Sequence, residues 1–104
     1  MAYTTIDDPS AHHQTAIYTG NGGANHAITN GGNSDLQPDW VWIKNRDAAD
    51  AHMIFDSSRG VTKRLSSDST AAEVTDGDTL DAFQSDGFRV DADVKVNTNA
   101  EKYV

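Results

Sequence analysis

The stretch Asp39-Trp40-Val41-Trp42-Ile43-Lys44-Asn45 decides the fold. Aromatic and β-branched residues crowd it, Pro38 precedes it and charge closes it, which is the composition of a β-strand. Its residues are apolar on both alternating faces, the pattern of a strand covered on both sides, so at least one of the two tryptophans is expected in the core, with the other lining an edge groove. The run His52-Met53-Ile54-Phe55-Asp56 follows a polar link at residues 46–51. The two runs are expected to pair as a hairpin with the link as its loop.

Working outward, Gly and Asn fill residues 19–25 and return at 30–33, supplying the positive-φ positions that tight turns need. Residues 14–19 and 26–29 read as short strands bounded by these turns. On the other side, residues 57–60 read as a turn and residues 62–66 as a strand. Ala71 to Val74 mixes helix and strand formers and leans to strand. Leu80 with Phe83 reads as one turn of helix or as a strand with an outward Gln84. Phe88-Arg89-Val90 alternates cleanly, and Val94-Lys95-Val96 and Tyr103-Val104 supply two more strands. About seven to nine short strands spaced by roughly 8 to 12 residues are expected of a sandwich or barrel. Val41, Ile43, Ile54, Phe55, Phe83 and Phe88, in the densest apolar runs, are its expected core.

With 104 residues, one core must carry the whole fold. Only 37% of residues are hydrophobic and the mean hydropathy is -0.62, so a thin all-β sandwich suits the chain better than a helical bundle. The formal charge is -8, and 14 of the 16 acidic residues are Asp, which favours turns over regular elements. That charge repels phosphate backbones and anionic lipid, which argues against nucleic-acid and membrane partners. Lys44, Arg46, Arg59, Lys63 and Arg64 fall close together and read as solvated strand ends. No cysteine is present, so disulfides and thiolate metal sites are excluded. No apolar run approaches the ~18 residues of a spanning helix, and the first residues lack the pattern of a signal peptide. A soluble chain made in the cytoplasm and not secreted is expected. Residues 1–13 read as an arm that becomes ordered on a partner, and residues 14–104 as the sandwich domain.

Sites with chemistry are sparse. His12 and His13 are adjacent, and neighbours on an extended chain point to opposite sides, so they do not share an ion without a turn. His26 and His52 have no His or Cys partner at ligand spacing. Asp76-Gly77-Asp78 and Asp91-Ala92-Asp93 pair carboxylates but lack the ordered loop and distal Glu that build a calcium site. No nucleophile elbow and no phosphate-binding glycine loop occurs. The reading is a non-enzyme with no cofactor and no metal. Trp40 and Trp42 are the candidate ligand-binding residues, since flat apolar rings complement the C–H faces of pyranoses when exposed.

At Leu36-Gln37-Pro38-Asp39-Trp40-Val41-Trp42-Ile43-Lys44-Asn45-Arg46 the chain resembles the concanavalin-like, jelly-roll domain of marine bacteriophage virion proteins. Phe55-Asp56-Ser57-Ser58-Arg59-Gly60, Thr62-Lys63-Arg64-Leu65, Phe83-Gln84-Ser85-Asp86-Gly87-Phe88 and Tyr103-Val104 are similar to its successive signatures in order. The opening residues 2–9 and the turn Tyr18-Thr19-Gly20-Asn21-Gly22 carry the likeness as well. The resemblance implies an antiparallel β-sandwich and a place in the virion, in a tail fibre or related appendage, serving assembly and host-surface display. It assigns no catalytic or ligand-binding residue. Members of that family continue past the Tyr-Val strand with a further strand, so the sandwich is expected to be incomplete at its C-terminus. The partners expected are other virion proteins and further copies of the chain, a trimer by analogy with phage appendages, and host-surface glycan. A lectin-like carbohydrate-binding module, a capsid decoration protein and, more weakly, a polysaccharide hydrolase are the competing readings.

Overall fold

A computed structural model describes residues 5–104. Among these residues there are nine short strands, one single-turn helix and one 3-10 turn. The strands are β1 (Tyr18–Thr19), β2 (His26–Thr29), β3 (Trp40–Ile43), β4 (Met53–Asp56), β5 (Lys63–Arg64), β6 (Val74–Thr75), β7 (Leu80–Gln84), β8 (Gly87–Val90) and β9 (Lys102–Tyr103). All pairings are antiparallel. The fold is an all-β antiparallel sandwich.

Backbone hydrogen bonds join the pairs into two layers. The expected hairpin forms as β3 with β4, Val41 opposite Phe55 and Ile43 opposite Met53. Just beyond β3, Lys44 and Val104 exchange both backbone bonds, at 2.8 and 3.0 Å, and Asn45 bridges Tyr103, which attaches β9 and with it β1. On the other side Ile54 and Leu65 exchange bonds at 2.9 and 3.1 Å, attaching β5 and β6. The first layer thus runs β1-β9-β3-β4-β5-β6. The second is β2-β8-β7.

The core lies between the layers. Val41, Ile43, Met53 and Phe55 from the first and Ile28, Leu80, Phe88 and Val90 from the second belong to one buried cluster, with Tyr18, Val96 and Tyr103 at one end. Period-2 alternation sends these side chains inward and their neighbours out. Of the expected core, Val41, Ile43, Phe55 and Phe88 are buried, and Phe83 packs half-buried against the cluster. Ile54 is a correction: it stands opposite Trp42 on the outer face of the hairpin and is half-buried. Both faces of the run looked apolar in sequence, yet only one has a second layer over it.

The β7–β8 hairpin turns at Ser85 and Asp86, and its strands carry a bulge between Leu80 and Ala82. Gly87 has φ +151°, and a Cβ there would stand 1.9 Å from the Ile28 carbonyl oxygen. Only glycine lets β2 approach β8 at this point. The segment read as helix or strand is therefore the strand β7.

Three other expectations change. Val94-Lys95-Val96 is not a strand: Val94–Asn97 is a turn of helix, because Asp93 caps it by accepting the Lys95 N–H at 2.8 Å. The strand expected over residues 14–19 is ordered as such only at Tyr18–Thr19, and of residues 71–74 only Val74 is in a strand. Residues 67–73 are exposed and have little to pack on. At the N-terminal end, Pro9–Ala11 forms the 3-10 turn, and Asp8, at its cap, accepts hydrogen bonds from the Ser10 N–H and the Ser34 hydroxyl. The part of the expected arm at residues 1–4 lies outside the described residues.

Candidate functional site

Trp40 and Trp42 are exposed, with relative accessibilities of 53% and 49%, which corrects the expectation that at least one is core. Both stand on the outer face of β3, two residues apart, with ring centroids 5.9 Å from each other in an edge-to-face arrangement. The Trp42 indole N–H donates to His52 Nδ1 at 3.0 Å, which fixes the ring and leaves its apolar face bare. The apolar surface continues across the sheet. Trp42 lies opposite Ile54, and Ile54 opposite Leu65, so three strands contribute one outward row. Leu65 is exposed as well. A row of this kind on a sheet face is uncommon in a protein that meets only water.

Beside this face lies a groove of about 610 Å³. Trp40, Trp42 and Ile43 line one wall, residues 12–16 the other, and Phe88 of the second layer and Val104 also border it. Among the described residues, the backbone groups of Trp40 and Trp42 that point away from β4 have no hydrogen-bond partner. The register shows why. Ser57 donates to Asp39 and Ile54 bonds Leu65, so Asp39, Val41 and Ile43 face β4 while Trp40, Trp42 and Lys44 face the other way. Lys44 finds Val104 there, and the two tryptophans face the groove.

The remaining polar groups are engaged in structure. Asn97, fully buried, donates to the Asn21 side chain at 2.9 Å and the Gly23 carbonyl at 2.7 Å, and its Oδ1 accepts from the Asn21 N–H and shares a hydrogen bond with His26. Asn45, also buried, donates to the carboxylates of Asp50 and Glu101 and accepts from the backbone of Asp47 and Ala48. Tyr103 donates its hydroxyl to the Val94 carbonyl at 2.7 Å and accepts from the Thr98 N–H at 2.8 Å. Burial of Tyr18 and the nearby Tyr103 push the Tyr18 phenol well above its ordinary pKa, and its hydroxyl donates to the Val96 carbonyl.

Two of the five clustered cations are held in ion pairs. Arg59 bonds Asp56 at 2.7 Å and Glu73 at 3.0 Å, and Arg64 bonds Asp76 at 3.0 Å. Hydrogen bonds from the Arg59 side chain and backbone lower the Asp56 carboxyl below the usual range. The two acidic pairs considered for calcium are spread over other tasks: Asp76 on Arg64, Asp91 on the Asn25 N–H and Asp93 on the helix cap. Among the described residues no group of three or more His, Cys, Asp or Glu converges on one point. His12 and His13 are exposed at the rim of the groove, and His52 serves Trp42. Sequence reasoning found the two tryptophans and an edge groove beside one of them, and missed Leu65 and the groove's opposite wall at residues 12–16. The pairing of Leu65 with Ile54 carries no local sequence signal.

Residues 8–104 match the profile of a family described as a domain of unknown function, DUF7483. The chain belongs to that family. Comparison with curated proteins and with solved structures gives no match. No helix among the described residues is long and apolar enough to cross a membrane.

Proposed function

We propose that this domain is a non-enzymatic structural and binding module of the bacteriophage virion, carried in a tail fibre or related appendage, where it serves assembly and host-surface display. The observation that carries the reading is the exposed row of Trp40, Trp42 and Leu65 on an otherwise ordered sheet face. Large aromatic residues held rigidly on a surface are what protein interfaces bury at their centres. The sequence likeness to phage virion proteins supplies the context, with other virion proteins and further copies of the chain as partners. Mass spectrometry of purified particles and antibody labelling of their appendages test it. Detection on the appendage is expected, and a protein found only in the soluble fraction of the lysate would sink the proposal. A capsid decoration protein would place the label on the head instead.

A lectin-like module is the second reading, favoured by the same two rings. An edge-to-face tryptophan pair offers a pyranose two apolar walls, and the His52 bond keeps Trp42 from rotating away. A glycan array run with the wild type and Trp42→Ala separates the readings. Saturable binding lost in the variant would make the domain a carbohydrate binder first.

A further inference from the structure

We propose that Asn30 is a self-modification site, where the backbone nitrogen of Gly31 attacks the side-chain carboxamide and converts position 30 to aspartate or isoaspartate. The inference goes beyond the virion reading and does not rest on it. It follows from two identical dipeptides that the fold holds in different ways.

Asn-Gly occurs twice, at Asn21-Gly22 and Asn30-Gly31. Because glycine has no Cβ and a freely turning backbone, its nitrogen reaches the neighbouring carboxamide more easily than that of any other residue. Sequence ranks the two pairs equally, and the structure separates them. At the first pair the nucleophile is tied, since the Gly22 N–H donates to the Asn97 carbonyl at 2.9 Å. The carboxamide is tied as well: Asn21 Oδ1 accepts from the Gly23 N–H and from Asn97 Nδ2, each at 2.9 Å. Asn97 itself is fully buried. At the second pair the Gly31 N–H has no hydrogen-bond partner among the described residues, Gly31 is exposed, and a Cβ built there would meet nothing within 4 Å. One bond holds the Asn30 carboxamide, from Nδ2 to the Leu36 carbonyl at 3.0 Å. A single half-exposed hydrogen bond opens far more often than the knot around a buried asparagine.

The reaction needs only water. The Gly31 nitrogen gives its proton to water and bonds to Asn30 Cγ, the Cγ–Nδ2 bond breaks, and Nδ2 leaves as ammonia with a proton taken back from water. Water then adds to either carbonyl of the cyclic imide and breaks one of its two C–N bonds, which leaves aspartate or isoaspartate. The product changes the connection between β2 and β3. A carboxylate has no N–H to give, so two acceptors face each other where Asn30 now donates to Leu36. The new charge also lies close to Asp86, whose Oδ1 accepts from the Leu36 N–H at 3.0 Å and whose carbonyl accepts from the Asn30 N–H at 2.8 Å. Asn30 and Leu36 both border the groove beside β3, so the reaction loosens its rim irreversibly.

Peptide mapping by mass spectrometry, with chromatographic separation of isoaspartate, tests the site in folded protein held at mildly alkaline pH. Asn30 should convert about tenfold or more faster than Asn21, and the two rates should converge in urea. Gly31→Ala, for which the surroundings leave room, should slow conversion at position 30 by about tenfold or more with the circular dichroism spectrum unchanged. Equal or faster reaction at Asn21 in the folded protein, a difference that persists in urea, or an unaltered rate in Gly31→Ala would overturn the assignment. Asn30→Asp installs the aspartate product directly, and amide hydrogen exchange at Leu36 should be about tenfold faster in it. Unchanged exchange there would overturn the effect on the connection.

Discussion

The two ends of β3 live in different surroundings. Towards Asn45 the strand has β9 beside it, and every polar group is satisfied: Asn45 is buried on Asp50 and Glu101, and the Tyr103 hydroxyl bonds Val94 and Thr98. Towards Trp40 the same strand has β4 on one side and an open groove on the other, and its outward rings are exposed. A neighbouring strand is the difference. Where it is present, burial of an asparagine amide between two carboxylates is tolerated because its hydrogen bonds are made. Where it is missing, the backbone edge of Trp40 and Trp42 borders the groove, and their rings, on the face that no second layer covers, stay in water and give the surface the character of an interface.

The largest effect should come from the closed end. Tyr103→Ala removes a fully buried ring that stacks on Tyr18 at 5.1 Å, and a loss of about 3–5 kcal/mol is expected by urea denaturation. A cost under ~1 kcal/mol would mean that β9 does not seal the sandwich. Ile43→Ala, in the middle of the comparison, should cost about 2–5 kcal/mol, since its side chain is buried between the layers. Asn97→Ala strips the buried knot of Asn21, Gly23 and His26, and about 1–3 kcal/mol should be lost, because the Gly23 carbonyl and the Asn21 amide are left without a donor and an acceptor. Trp42→Ala, at the open end, should change stability by less than ~1 kcal/mol while altering whatever binding the face performs. Equal costs for Trp42→Ala and Ile43→Ala would break the comparison, because the outer ring would then be part of the core.

The smallest effect is titrimetric. Hydrogen bonds from Ser10 and Ser34 hold the Asp8 carboxyl below its ordinary value. A carboxylate lowered in the folded state contributes stability above its unfolded pKa and loses that contribution as pH falls through the folded value. Melting temperature should therefore drop on the acid side of the usual carboxylate range, and Asp8→Asn should drop less steeply there while being less stable near neutrality. Parallel curves for the two proteins would show that Asp8 does not pin the N-terminal turn to Ser34.

Much of the architecture was legible in the sequence. Trp-Val-Trp-Ile and Met-Ile-Phe paired as the hairpin their composition indicated, and Phe-Arg-Val became β8, because residues of that type fit a pleated, half-buried surface wherever they occur. The direction of burial was harder. Trp40 and Trp42 alternate with Val41 and Ile43, and alternation separates two faces without saying which faces another layer. Only the position of β2, β8 and β7 decides that. Val94-Lys95-Val96 misled because its period suits a strand while Asp93 supplies a cap. The far walls of the groove were hidden for a different reason. The groove is bounded by residues 12–16, β3 and Phe88, which are brought together only by the complete topology.

The position of β9 between β1 and β3 also bears on how the chain reaches this state. Tyr18 near the start of the ordered fold pairs with Tyr103, and its hydroxyl reaches Val96 across 78 positions of sequence. Contacts of such separation form slowly, since the intervening loop must be closed before any of them is gained. The element that joins β1 to the β3–β4 hairpin leaves the ribosome after the other eight strands. Until it arrives, the hairpin has a bare edge along its whole length, so the nascent domain passes through a stage at which premature association competes with folding.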